Sequence, residues 1–219
     1  MGGFIQSSTM RKFAMALSGL FLVFFLLQHF IINLTSVTSP DTFNELSHFM
    51  GTNPLVQVLL QPVLIFGVIF HFAMGFILEA KNKKARNVNY VKYNGGANAS
   101  WMSRNMIYSG IVILAFLGLH FYDFWVPEMV HKYIQSHPED ATRYYAETIA
   151  KFESPVRTGI YVVAFIFLML HLLHGFSSSF QSIGWNNKYS KALKGFTQAY
   201  AIIIPLGFIF IAVYHYLNH

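Results

Sequence analysis

The chain has 219 residues, 54% of them hydrophobic and 11% charged, with a net charge of +6 and a mean hydropathy of +0.44. This balance excludes an ordinary soluble domain and fits an integral membrane protein. Cysteine is absent, which excludes disulfides, thiolate zinc sites, iron–sulfur clusters and Cys-attached haem.

The chain opens on a short polar lead ending in Arg11-Lys12, followed by an uncharged run over 13–32. That run is long for the apolar core of a signal peptide, and no small-x-small cleavage site follows it. Residues 34–54 read as a polar loop with Asp41, Glu45 and His48. A second apolar run covers 55–78, and a basic loop covers 79–104. The third run covers 105 to about 126, with Asp123 near its far end. Residues 127–155 read as a longer loop of mixed charge, with two short helices broken near Pro138. The fourth run covers 158–180, a short basic loop 181–195, and the fifth run 196–217, where Pro205 marks a kink. Each run is roughly 20 residues, enough for a helix to cross a bilayer. The expectation is an all-α integral membrane protein with five transmembrane helices in one domain over 1–219. The first four form a bundle and the fifth packs outside it.

The basic residues fix an orientation. With the N-terminus inside, the inner segments hold Arg11, Lys12, Lys81, Lys83, Lys84, Arg86, Lys92, Arg104, Lys188, Lys191 and Lys194. The outer segments hold only Lys132, Arg143, Lys151 and Arg157. This positive-inside bias predicts a cytoplasmic N-terminus and an outer C-terminus. It also accounts for the net charge without nucleic acid, for which no basic face or module is visible. Trp101, Trp125 and Trp185 fall near predicted boundaries, as interface anchors do.

An intramembrane histidine is costly without a partner, so it marks a functional site. The second run carries His71-Phe72-Ala73-Met74-Gly75-Phe76, and the fourth carries His171-Leu172-Leu173-His174-Gly175-Phe176. The first and third share another pattern: Ser18-Gly19 ahead of His29, and Ser109-Gly110 ahead of His120. Helix rise puts His29 and His120 each about 24 Å from the inner end. His71 and His171 lie about 12 and 15 Å from it. The two planes are then roughly 10 Å apart. One histidine per helix, in two matched pairs, suggests two b-type haems, His29 with His120 and His71 with His171 holding the iron. Such ligation leaves no open iron position, so electron transfer is expected. Gly75 and Gly175 lie one turn after their histidines, on the same face, where they leave room for a porphyrin edge. Gly19 and Gly110 lie about 15 Å inward of His29 and His120, at the inner level. Arg104 and Arg157 are candidates for the propionates, and Ser18 and Ser109 for hydrogen bonds near the inner haem. His171 is preferred over His174 because it repeats the offset of His71 to Gly75. His174 is assigned to a propionate or a partner helix. His48, His131, His137 and His219 read as solvated and His215 as interfacial.

The pattern resembles a known family: the single-chain, five-helix, di-haem cytochrome b subunit of bacterial succinate:quinone oxidoreductases, the membrane anchor of succinate dehydrogenase and fumarate reductase. The resemblance covers essentially the whole chain. It rests on the four histidines, the two His-x-x-x-Gly patterns, Ser103-Arg104-Asn105-Met106, and Gly175-Phe176 followed by Phe180-Gln181-Ser182-Ile183-Gly184-Trp185. It implies a bacterial cytoplasmic membrane, and a partner flavoprotein with FAD and an iron–sulfur protein docked on the basic inner loops. Electrons would pass through the inner, proximal haem (His71, His171) and the outer, distal haem (His29, His120) to a quinone, usually menaquinone. Glu45 resembles in position a glutamate that matters to quinone chemistry in related enzymes. Met169 and Leu170 stand where some fumarate reductases carry a glutamate tied to proton transfer. Two other classes remain open. One is a di-haem cytochrome b of the formate dehydrogenase, hydrogenase or ascorbate-reducible type, whose histidines are placed differently among the helices. The other is a non-redox protein, a His-lined metal transporter or a haemless anchor.

Overall fold

The computed structural model describes residues 7–84, 105–135, 140–185 and 187–219. Among them, five helices are long and apolar enough to cross a membrane. In lipid each backbone N–H and C=O must be satisfied within the segment, which is why these uncharged runs become helices.

The first span, α1, is Ser8–Thr38. It ends where Ser39 turns extended, and the Ser39 side chain then accepts the Thr42 N–H to cap α2, Pro40–Thr52. A serine cap followed by proline in the first turn is a strong helix start. The expected 34–54 loop is therefore largely helical. Its polar face hid the helix, although Phe43, Leu46 and Met50 fall on one side of it. Asn53 ends α2, and its side chain accepts the Leu55 N–H to begin the next rod. That rod is a π-helical turn, Val56–Leu60, running into α3, Gln61–Lys84.

The third span begins with α4, Met106–His120. Directly after His120 come a π-helical turn, Phe121–Trp125, an α-helical turn, Val126–Met129, and a second π turn, Val130–Ile134. The span thus continues past the expected end near residue 126. Pro127 lacks an N–H and would crowd the preceding turn of a regular helix. The wider turn absorbs it, with the Val126 N–H reaching back to the Phe121 carbonyl. A short amphipathic helix, α5, spans Arg143–Phe152. Ser154 and Pro155 then open α6, Pro155–Ser182. The last helix, α7, spans Ser190–Asn218 and runs through Pro205.

The most extensive pairing is between α6 and α7, with α1 lying against both. Tyr161, Phe165, Leu172 and Phe176 of α6 pack on Tyr200, Ala201, Ile204, Phe208, Ile211 and Ala212 of α7. Ala201 and Ala212 are fully buried, and small residues there let the two backbones approach. Gly207 receives the ring of Phe30 from α1. The fifth span does lie outside the other four, yet the densest core is in its seam with α1 and α6. By contrast α3 and α4 touch only lightly, which leaves the middle of the four-helix group open. Phe24, Val58, Phe66 and Ile69 point outward, the apolar exterior a lipid solvent favours.

Candidate functional site

The spacing along each helix puts the chemistry on the inward face. Eleven residues make about three helical turns, so Ser18 and His29 face the same way on α1, as do Ser109 and His120 on α4. His71 on α3 and His171 on α6 approach from the opposite diagonals. The structure brings the four histidines together two by two. The rings of His71 and His171 have centroids 6.3 Å apart and planes at 68°. Those of His29 and His120 are 5.7 Å apart and at 87°. The first pair is nearer the end carrying Arg11, Lys12 and Lys81 to Lys84, and is termed the near pair. The second is the far pair.

Contacts also set the distance between levels. His71 lies against Ser18 and Gly19, and His171 against Ser109 and Gly110. His29 and His120 come 11 residues after those serines. The levels are therefore about 16 Å apart along the helices, more than the roughly 10 Å expected from run lengths. That expectation took the inner ends of the apolar runs to be level, whereas Ser18, five residues after Phe13, meets His71, eight residues before Glu79.

Each near histidine has a serine partner from another helix. Ser18 Oγ is 3.2 Å from His71 Nδ1 and donates to the Met15 carbonyl at 2.9 Å. Ser109 Oγ is 3.1 Å from His171 Nδ1 and donates to the Met106 carbonyl at 2.9 Å. The far pair is walled mainly by aromatic rings instead. Phe25 lies 5.5 Å from His29 and Phe116 lies 5.8 Å from His120. Phe208 of α7 approaches His29 at 5.8 Å. His120 Nδ1 is buried with no partner among the described residues. The Asn33 amide, which donates to the His29 carbonyl at 2.8 Å, sits 3.4 Å from His29 Nε2.

Both pairs open onto one cavity of about 1050 Å³, which runs from Lys12 and Ser182 to Glu128 and Lys132. Cofactor pockets typically hold roughly 300–1,000 Å³. The donor set fits haem iron. With metal–nitrogen bonds of about 2 Å and about 1 Å more to each ring centre, two imidazoles sharing one ion have centroids about 6 Å apart. Glycine supplies the surrounding space: a Cβ on Gly19 would stand 3.4 Å from His71 Cε1, and one on Gly175 would stand 3.3 Å from the Met106 methyl. Gly75 faces the Met15 methyl, and Gly110 faces His171 Cε1 at 3.9 Å from a built Cβ. Among the described residues no three His, Asp or Glu side chains gather into a metal-holding group.

The far end of the cavity carries a charged knot that sequence reasoning missed. Glu128 pairs with Lys132 one turn on and with Arg143 of α5. Lys132 also donates to the Gly51 carbonyl, and Arg143 bonds Glu147 at 2.8 Å. Burial opposes the Arg143 charge, but the bonds to Glu147 and Glu128 outweigh it and raise its pKa. Burial and then the Glu128 charge push the Tyr144 hydroxyl up to about 12. A second network lies beside His120. The buried Asp123 carboxylate pairs with Arg157 and accepts the Tyr161 hydroxyl at 2.9 Å. An acid inside one apolar run and an arginine opening the next were the available signals for it.

Several expected sites fall elsewhere. Glu45 is exposed on α2 and does not line the cavity. Arg157 is engaged by Asp123 through one guanidinium nitrogen. His174 lines the cavity, half-buried. His215 is fully buried, with Nε2 2.8 Å from Ser36 Oγ, and is not interfacial. His48 belongs to α2 and packs near Tyr144. His131 is partly buried in the second π turn. His219 is exposed. Arg104, Ser103, Trp101 and His137 lie outside the described residues. Comparison with protein-family models, curated proteins and solved structures finds no match.

Proposed function

We propose that this chain is a transmembrane di-haem cytochrome b. The observation carrying this reading is the pair of opposed imidazoles at each of two levels in one membrane-depth cavity. His71 and His171 would hold one haem, His29 and His120 the other. Haem supplies a one-electron iron couple, and two imidazoles leave it no open coordination site. The protein's own work is to fix the ligands, keep the site dry and set the distance between levels. The Ser18 and Ser109 contacts orient the near imidazoles, while Phe25, Phe116 and Phe208 wall the far ones.

Within that class, the reading favoured is the quinone-reactive membrane anchor of a succinate:quinone oxidoreductase, carrying electrons between an iron–sulfur subunit and menaquinone. Its support is the resemblance in sequence: one principal histidine per helix, the repeated His-x-x-x-Gly, and the basic segments at one end. Succinate chemistry would belong to the flavoprotein partner. The lysine-rich end would face the cytoplasm of a bacterium and dock the iron–sulfur subunit. Quinone reduction takes up protons, and a carboxylate lining the cavity beyond the far pair suits that need. Glu128 lines the cavity there and replaces Glu45 as the candidate.

An absorption spectrum of the purified chain tests the class. A reduced b-type α band with two haems per chain supports it, and a colourless protein rejects it. Purification in mild detergent tests the assembly. Co-purification of a flavin-containing dehydrogenase is expected; a nickel or molybdenum enzyme in its place would transfer the chain to another di-haem class.

A further inference from the structure

The near and far histidines differ in how their second ring nitrogen is treated, and the difference follows a repeat in the sequence. Met15, Ser18, Gly19 and Phe25 precede His29 at the same spacings as Met106, Ser109, Gly110 and Phe116 precede His120. The repeat serves two levels at once. Its histidine and phenylalanine build the far site, while its serine and glycine reach across to the histidine of the neighbouring helix at the near site.

A serine in a membrane helix often bonds only its own backbone. Here each hydroxyl does that and more. A hydroxyl has one proton, and in both serines it is directed at the carbonyl three residues back. The oxygen can then only accept, so the proton between it and the imidazole belongs to Nδ1. That assigns the tautomer of both near rings from the hydrogen-bond network: Nδ1 is protonated, and Nε2 carries the lone pair. The far pair has no such partner from another helix: the Asn33 amide of α1 itself lies 3.4 Å from His29 Nε2, and His120 Nδ1 is an orphan among the described residues.

We infer that Ser18 and Ser109 are positioning residues for the near haem alone, each receiving the Nδ1–H of a ligand on another helix and directing its own proton to the main chain. The inference rests on the two-haem reading. Hydrogen bonding by a ligand's remote N–H fixes ring orientation and raises ligand basicity. A more basic ligand stabilises the oxidised iron, so these serines lower the potential of the near haem and leave the far one untouched.

The test uses the full chain purified with its haems, as Ser18→Ala, Ser109→Ala, the double variant, and Ser18→Thr, which keeps a hydroxyl. Haem per chain, midpoint potentials and low-temperature EPR g-values are measured, with His71→Ala identifying the near-haem signal. The expected result is an upward shift of the near-haem midpoint in each alanine variant, larger in the double variant, with a changed near-haem g-value. The far haem stays constant and Ser18→Thr restores the original values. Loss of the near haem alone from the alanine variants, with Ser18→Thr retaining it, would equally support the assignment. Unchanged potentials in the double variant, or equal shifts or loss at both haems, would overturn it. A wild-type chain with no b-type spectrum would instead reject the underlying reading.

Discussion

Arg157, in the first turn of α6, reaches the Asp123 carboxylate in the π turn after His120 and holds it inside the protein. The Asp123 side chain is 0% exposed and that of Arg157 is 30% exposed, so the two partners are unequal. Removing the arginine strands a buried charge, whereas Asp123→Asn leaves an arginine that can turn toward water and an amide that still accepts from Tyr161. Arg157→Leu should cost about 3 kcal/mol, the lower end for one-sided loss of a buried pair, and Asp123→Asn clearly less. Thermal unfolding in detergent would rank them, and the reverse order would refute this reading of the network. Because Tyr161 also packs on His120, Arg157→Leu should weaken far-haem retention before near-haem retention.

Glu128 should matter to quinone turnover. Glu128→Gln keeps the shape but removes both the proton carrier at the far mouth and the charge that pairs with Lys132 and Arg143, so quinone-linked activity should fall on the order of 100-fold, the usual size for loss of an acid–base group. Haem content and succinate oxidation with an artificial dye should stay near normal. Glu45→Gln should leave both activities unchanged. A slow Glu45→Gln beside a normal Glu128→Gln would move the quinone site to α2.

His215 is a structural residue. Its ring is wholly buried and bonds Ser36, which also donates to the Asn33 carbonyl at 2.6 Å. Ser36→Ala leaves a buried ring nitrogen without its partner and should cost about 1–3 kcal/mol, with both haems retained. Haem loss with unchanged melting would give His215 a different role.

Much of this was legible in the sequence because intramembrane polar groups are scarce. Four principal histidines in apolar runs gave the pairing scheme, and the repeated Ser-Gly gave the level at which Gly19 and Gly110 meet the other histidines. What stayed hidden depended on side chains meeting across the fold. Glu128 fell within the segment 127–155 that reads as a loop, yet the π turns carry the rod onward to Ile134. Asp123 and Arg157 are separated by a whole connection, so nothing local announced their pairing. The α2 helix was concealed by its polar face, although Ser39-Pro40 marks its start. Phe208 reached the far site from a helix with no functional motif of its own.

The claim most open to direct test is the pairing of ligands by level. Haem per chain and reduced-minus-oxidised spectra should be measured for the wild-type protein and for His29→Ala, His120→Ala, His71→Ala, His171→Ala and His174→Ala. Two haems are expected in the wild type and in His174→Ala. His29→Ala and His120→Ala should lose one and the same spectral component, and His71→Ala and His171→Ala should both lose the other. A wild type without haem, or a spectrum of His29→Ala that matches His71→Ala and not His120→Ala, would contradict the pairing.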